Sequence, residues 1–178
     1  DKAATTTEVT VADVTYNGDS HGRTAAVTGA AGLSESLTVT YVGTGSTTYP
    51  ASTTAPINAG TYSATATYTE SANHTGSTQT KSFTIAQAAA SISVTDLAKV
   101  YNGSAQGATV TTSPAGLAVT VTYDGSETLP TNYKEGGYAV LAVLNNSNYT
   151  AANGTGTLVI DKAATTTEVT VADVTYNG

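Results

Sequence analysis

Cysteine, methionine and tryptophan are absent from the 178 residues, phenylalanine occurs once, and histidine only twice, at His21 and His74. Without cysteine there is no disulfide, no thiolate nucleophile and no sulfur-ligated zinc or iron–sulfur site. Two histidines leave little from which to build a metal site or a histidine general base, and neither stands at a spacing that suggests a nucleophile–base–acid set. Positive charge is scarce: six basic residues face 13 acidic ones, for a net charge of −7. That balance argues against nucleic acid and against anionic membrane surfaces as partners. No apolar run approaches the ~18 residues that a membrane-spanning helix needs, so this segment offers nothing for membrane insertion. No signal-peptide pattern is present, and the sequence reads as an internal piece of something longer.

What the chain has instead is threonine, 38 of 178 residues, with 17 glycines, 11 tyrosines and many valines and alanines. This is a β composition. Residues 1–18, DKAATTTEVTVADVTYNG, recur letter for letter at 161–178. An 18-residue identity does not arise by chance, so the sequence holds one full repeat and the start of another. Long repeats of this kind normally form arrays.

A weaker duplication lies inside the first. Tyr16-Asn17-Gly18 returns as Tyr101-Asn102-Gly103 and Tyr176-Asn177-Gly178. Between these points the landmarks keep their order. The Val-Thr-Tyr-x-Gly core at Val39–Gly43 matches Val121–Gly125, and Gly60-Thr61-Tyr62 matches Gly136-Gly137-Tyr138. Further on, Asn73-His74-Thr75 matches Asn148-Tyr149-Thr150, and Phe83-Thr84-Ile85 matches Leu158-Val159-Ile160. The expected organisation is a first module over 1–87, a second over 88–162, and the opening strand of a further, incomplete module over 163–178.

Hydrophobicity alternates with period two at Val9/Val11, Val14/Tyr16, Leu37/Val39/Tyr41, Tyr62/Ala64/Ala66/Tyr68 and Val119/Val121/Tyr123, with threonine and serine between. Alternation of this kind places one set of side chains in a core and the other in water. Threonine suits the wet face, because its branched Cβ favours extended backbone. Asn-Gly and Asp-Gly pairs punctuate the runs as turns. No stretch has convincing helical spacing; Asp96–Tyr101 reads as strand or turn. Six or seven short strands per module predict an all-β fold, two immunoglobulin-like β-sandwich modules in tandem, end to end. The β-grasp alternative needs a crossing helix that the sequence does not offer. Asn58-Ala59-Gly60-Thr61-Tyr62, and more loosely Lys134–Tyr138, predict a corner at which the tyrosine hydroxyl bonds back to the chain.

The ordered set Tyr101–Gly103, Val121–Gly125, Pro130 to Tyr138, Asn148–Thr150 and Thr157–Ala163 resembles the MBG/YDG-type tandem repeats of bacterial surface adhesins. The likeness covers both modules. The first departs at Val42, where the second has Asp124, and at Gln87, where the later join has Lys162. The resemblance implies a stalk or spacer repeat of a secreted or wall-anchored protein at the bacterial cell surface, projecting a distal binding domain. Its partners would be neighbouring repeats of the same chain and, for a binding role, a glycan or host surface ligand. It carries over no catalytic residues.

The residues agree with that silence. The carboxylates at Asp13, Asp19, Glu35, Glu70, Asp96, Asp124, Glu127 and Glu135 are scattered and form no calcium-binding loop. A calcium ion at a join would have to draw on Asp161, Asp13 or Asp96. Thr-x-Thr strings such as Thr65-Ala66-Thr67 suggest a flat ice- or glycan-binding face, but threonine on the wet side of any strand explains them equally. Tyr49 and Tyr133 are the tyrosines expected to be exposed and able to stack on sugar rings. Lys81, Lys99 and Lys134 are the candidates for isopeptide crosslinks to asparagine. Asn73, Asn102, Asn145, Asn148 and Asn153 head glycosylation sequons, which arise easily in so Thr-rich a chain. No catalytic, cofactor-binding or metal-ligating residue is assigned, no cofactor is expected, and the chain is read as non-enzymatic. The binding alternative places low-affinity, high-avidity contacts in the loops Gly43–Pro56 and Ser126–Lys134.

Overall fold

A computed structural model describes all of residues 1–178. It is all-β, with one short 3-10 turn at Ala30–Gly32 as its only helical element. It divides into two compact units: residues 1–91 with 144–152, and residues 92–143 with 153–178.

In the first unit the strands are β1 (Thr5–Thr10), β2 (Val14–Thr15), β3 (Thr24–Gly29), β4 (Ser34–Ser36), β5 (Thr40–Thr44), β6 (Gly60–Tyr68) and β7 (Ser77–Ala86). They form two sheets, β1-β3-β4 and β2-β7-β6-β5. Val9 and Ala25 from the first sheet meet Tyr41, Tyr62, Ala64, Ala66, Phe83 and Ile85 from the second in one core. The period-two pattern is the cause: β6 buries Tyr62, Ala64 and Ala66 and turns Thr61, Ser63, Thr65 and Thr67 outward. On that outer face Thr61 pairs with Thr84, Ser63 with Ser82, Thr65 with Thr80 and Thr67 with Thr78 across the antiparallel ladder. The Thr65 and Thr80 hydroxyls lie 2.8 Å apart, and Thr78 donates to Thr67 at 3.0 Å. The threonine strings are therefore cross-strand hydroxyl pairs.

The rest of the chain carries β8 (Ala88–Ala89), β9 (Ser91–Thr95), β10 (Ala98–Val100), β11 (Thr109–Ser113), β12 (Val119–Tyr123), β13 (Tyr138–Leu144), β14 (Tyr149–Thr150) and β15 (Gly154–Asp161). The second unit repeats the topology of the first. β10-β15-β13-β12 corresponds to β2-β7-β6-β5, and the pair β11-β9 corresponds to β3-β1; β4 has no counterpart. Tyr123, Val140, Leu158 and Ile160 form its core.

Two features depart from the alternation pattern. The run from Val9 to Tyr16 is not one strand. It breaks at residues 11–13, where the chain leaves the β1 sheet and joins β7 as β2; the Asp13 carboxylate accepts the Thr84 N–H at 2.7 Å across the break. The strand at Tyr41 starts only at Thr40, because Leu37 hydrogen-bonds Ala25 before the ladder with β6 begins. Beyond Asp161 there is no strand. Residues 162–178 are exposed throughout, Val169, Val171, Val174 and Tyr176 among them.

Candidate binding surface

The loop joining β5 to β6 is anchored at both ends. Gly43 donates to Tyr49 O at 2.9 Å, and Tyr41 and Ser52 exchange backbone bonds at 2.7 and 3.0 Å. A Cβ on Gly43 would come within 2.3 Å of Thr47 O, so only glycine lets the loop fold back this closely. Inside it, Tyr62 is buried to 2 % exposure. Its ring stacks on Phe83 at 5.5 Å and meets Tyr49 edge-on at 5.7 Å. Its hydroxyl donates to Asn58 O at 2.7 Å. Burial first, and Tyr49 second, push its pKa above the ordinary 10.0, so it stays a neutral donor.

The corner recurs in the second unit. Tyr138 donates to Asn132 O at 2.9 Å. A second tyrosine pair follows the same rule: the Tyr41 hydroxyl accepts the Arg23 N–H at 2.7 Å, and the Tyr123 hydroxyl accepts the Ala108 N–H at 2.9 Å. Each unit thus closes two loops with tyrosine hydroxyls. The sequence pattern points to the first pair; the second is a pairing of residues 15 to 18 positions apart that no local motif announces.

Around the Tyr62 corner the first unit holds an open groove of about 800 Å³, lined by the β5–β6 loop, the start of β6, the end of β7, Gln87 and Ser147. No charged side chain lines it. Ile57 is exposed at its rim. Tyr49, expected to be exposed, is half-buried instead, with its hydroxyl donated to Thr54 O at 2.7 Å; packing against Tyr62 draws it into the core. The turn at 146–148 adds a polar side to the same unit. Asn148 Oδ1 accepts the Ala59 N–H at 2.8 Å, its Nδ2 donates to Asn58 Oδ1 at 3.1 Å, and Tyr149 meets Tyr16 edge-on at 5.4 Å.

The Asn-x-Thr segments share one role. Ala3 bonds Asn73 O at 2.8 Å and accepts from Thr75 at 2.9 Å, in parallel register with His74. In the same way Ala88 and Ala90 bond Asn148 O and Thr150 O at 2.9 and 2.8 Å, the parallel pair β8–β14. His74 is thus a strand-side residue, its Nε2 3.0 Å from Ala30 O.

The second candidate loop is organised by charge. Asp124, at positive φ, accepts from Lys134 Nζ at 2.7 Å and from the Ala139 N–H at 3.0 Å. These two bonds, Lys134 first, hold its carboxyl below its ordinary 3.8. Tyr133 is 45 % exposed, with Lys162 Nζ 4.7 Å from the ring centre. Of the candidate crosslinking lysines, Lys134 pairs with Asp124 and Lys99 with Asp96, which meets Thr109 as well; both contacts are to carboxylates and not to asparagine amides. His21, Glu35 and Glu127 join no shared cluster, and no three His, Asp or Glu side chains gather closely enough to hold a metal ion.

The family model described as MBG domain matches residues 4–89 and again residues 90–164, together nearly the whole chain. Among curated proteins none matches it.

Proposed function

The chain belongs to the MBG domain family, which it carries in two tandem copies, and from that premise we propose that it is a load-bearing spacer of a bacterial surface or secreted adhesin, projecting a distal binding domain from the cell. The observation that supports this reading is the pairing of the early and final strands of each copy. β2 lies parallel to β7, Val14 beside Ile85 and Thr15 beside Ala86, extended by the Tyr16 N–H to Ala86 O at 2.8 Å. β10 lies parallel to β15, Ala98 beside Val159 through Val100 beside Asp161, extended by the Tyr101 N–H to Asp161 O at 2.8 Å.

Early and final strands paired in parallel respond to tension in a particular way. Once tension passes β1 or β9, pulling β2 or β10 from its N-terminal side and the last strand from its C-terminal end drags the pair in opposite directions along their common axis. Their hydrogen bonds are then loaded together in shear and are not opened one at a time. In the second copy the loaded patch also rests on Leu158 and Ile160, both fully buried. A stretched module of this design resists without a disulfide, in keeping with the absence of cysteine. The test is single-molecule stretching of concatemers of the 160-residue unit. The expected record is a sawtooth with two rupture events per unit. Proline at Tyr101, which removes the donor to Asp161 O, should lower the force of one event and leave the other unchanged. Rupture forces indistinguishable from those of unzipping hairpins would refute the proposal.

The uncharged groove of about 800 Å³ in the first unit supports a second reading, recognition of a neutral glycan by that copy. Chemical shifts of Ile57, Asn58 and Gln87 on addition of oligosaccharides would decide it; no shift at millimolar sugar leaves the spacer role alone.

A further inference from the structure

The first unit guards the β3 and β5 edges of its sheets, and the second leaves the counterpart of β3 open. β4 covers β3 and carries Glu35 at its centre, and the loop after β5 bonds back onto that strand at Tyr41 and Gly43. Charge, shortness and covering loops are the usual guards of a strand edge. β11 has none of them: its sequence TVTTS is uncharged, and its sheet consists of β9 and β11 alone. We infer that the open edge of β11 is a self-association surface, which pairs antiparallel with β11 of a second copy of this chain, Thr111 opposite Thr111.

The correspondence between the two units identifies the open groups. The Tyr41 and Tyr123 hydroxyls take the N–H of Arg23 and of Ala108, one residue before β3 and β11 begin. Val110 therefore stands where Ala25 does, and Thr112 where Val27 does. In the first unit Ala25 O accepts the Leu37 N–H at 2.8 Å, Val27 faces Glu35, and the Gly29 N–H donates to Leu33 O at 3.0 Å. Alternate residues of β3 thus turn their main chain toward β4, and those between turn theirs toward β1. The second unit is too short to repeat this. Residues 30–39 separate β3 from β5, but only 114–118 separate β11 from β12. Pro114, in the place of Gly29, has no N–H to donate. Leu117 bonds back to the Thr112 hydroxyl, at 3.1 Å, and not to main chain. The N–H and C=O of Val110 and Thr112 face outward from the sheet. The core margin is uncovered with them: Ala25, Val27 and Val39 are 7, 0 and 6 % exposed, whereas Val110, Thr112 and Val121 are only half-buried.

A second β11 answers each of these groups. Antiparallel pairing about Thr111 sets Val110 of each copy opposite Thr112 of the other, and each such pair exchanges two N–H···O bonds. Every outward donor and acceptor of the two residues is then used. Sliding by two residues spoils this. It sets Val110 opposite Pro114, which cannot donate, or Thr112 opposite Ala108, whose N–H is already held by the Tyr123 hydroxyl. On the exposed face Thr111 meets Thr111 and Thr109 meets Ser113. That is the hydroxyl pairing β6 and β7 already make at Thr65–Thr80 and Thr67–Thr78. The paired strands bring no charge of this acidic chain together. Because the same patch meets itself, the contact closes as a two-fold dimer and does not propagate. One contact of four main-chain bonds is weak, and an array of repeats multiplies it.

Charges placed at the centre of the contact test this on the 178-residue chain. Thr111 is exposed and points away from the core, so its replacement leaves the module folded. At about 1 mM the parent should sediment as a mixture of monomer and dimer. Thr111→Lys and Thr111→Asp should each be monomeric, because like charges then stand opposite one another. Their equimolar mixture should associate at least as strongly as the parent. A cysteine at the same position gives a second readout, uncomplicated by native thiols. Opposed residues of a non-hydrogen-bonded pair have Cα atoms about 4.5 Å apart, within reach of a disulfide. Under mild oxidation Thr111→Cys should form a covalent dimer at least tenfold faster than Thr109→Cys, whose opposite residue is Ser113. A parent that stays monomeric, association unchanged by Thr111→Lys, a mixture no more associated than its components, or equal rates for the two cysteines would each overturn the inference.

Discussion

The tyrosine hydroxyls have different energetic stakes although they make similar bonds. Tyr62 donates from a buried position, so Tyr62→Phe removes a part-buried hydrogen bond to Asn58 O from the floor of the corner. The expected loss is about 1–2 kcal/mol in denaturant unfolding. Tyr138→Phe breaks a similar bond nearer the solvent, where water can replace the hydroxyl, and should lose about 0.5 kcal/mol or less. Tyr101→Phe, half-exposed, should lie within about 0.5 kcal/mol of zero. Asp124 makes a second residue-scale prediction, of pH dependence. Its carboxyl sits below its ordinary 3.8 in the folded chain because Lys134 and the Ala139 N–H stabilise the charged form. The stability it adds is thus complete above the unfolded value and disappears as pH falls through the lower, folded one. Asp124→Asn should flatten the stability profile of the second unit below about pH 4 and leave it parallel to the parent above that. A profile unchanged at low pH would mean that solvent screens the Lys134 contact to nothing.

At the scale of elements, the 18-residue identity separates propensity from context. The same letters form β1 and β2 at one end and no strand at the other. Strand propensity is equal in the two; what differs is the presence of β3 and β7 beside the first. Val9→Ala should therefore cost roughly 1–3 kcal/mol, from lost burial and the cavity left behind, while Val169→Ala at micromolar concentration should cost nothing measurable. Thermal unfolding of both variants, with a chain ending at Lys162 as a third sample of unchanged stability, checks this directly. If Val169→Ala were as damaging as Val9→Ala, residues 161–178 would have to be packed. The same contrast explains how far the sequence could be read. Alternation marked β1, β6 and β12 and the tyrosine corners, because these are local patterns. The parallel β2–β7 and β10–β15 pairs join residues some sixty to seventy positions apart, and two-residue strands carry no period to detect. The break at Asp13 was hidden for the same reason: its carboxylate is matched to Thr84, far along the chain. In the candidate groove, Tyr49 looked free in the sequence because nothing local reveals that Tyr62 and Phe83 lie beneath it.

At the scale of the whole molecule, the two copies share a topology but not a core. Nine buried residues hold the first, among them Tyr41, Tyr62 and Phe83; four hold the second, with Tyr123 the only aromatic. At about 25 cal/mol per Å² of buried apolar surface, the loss of two large aromatic rings is worth several kcal/mol. The units should therefore open separately, the second first. Hydrogen exchange on the native chain should release the amides of β12, β13 and β15 before those of β6 and β7. Residues 144–152 supply the sharper reading, because they stand between β13 and β15 in sequence yet belong to the first compact unit. Asn148 holds Ala59 and Asn58, and Tyr149 holds Tyr16 and the β8 pair. Their amides should exchange with the slow set, on the timescale of β6, although the strands on either side exchange with the fast one. Asn148→Ala should move this segment into the fast set, leave β12 and β13 as they were, and lower the first unit by about 1–2 kcal/mol. Exchange of 144–152 in step with β13 and β15 in the parent chain would mean that the segment answers to its neighbours in sequence and not to the asparagine and tyrosine contacts.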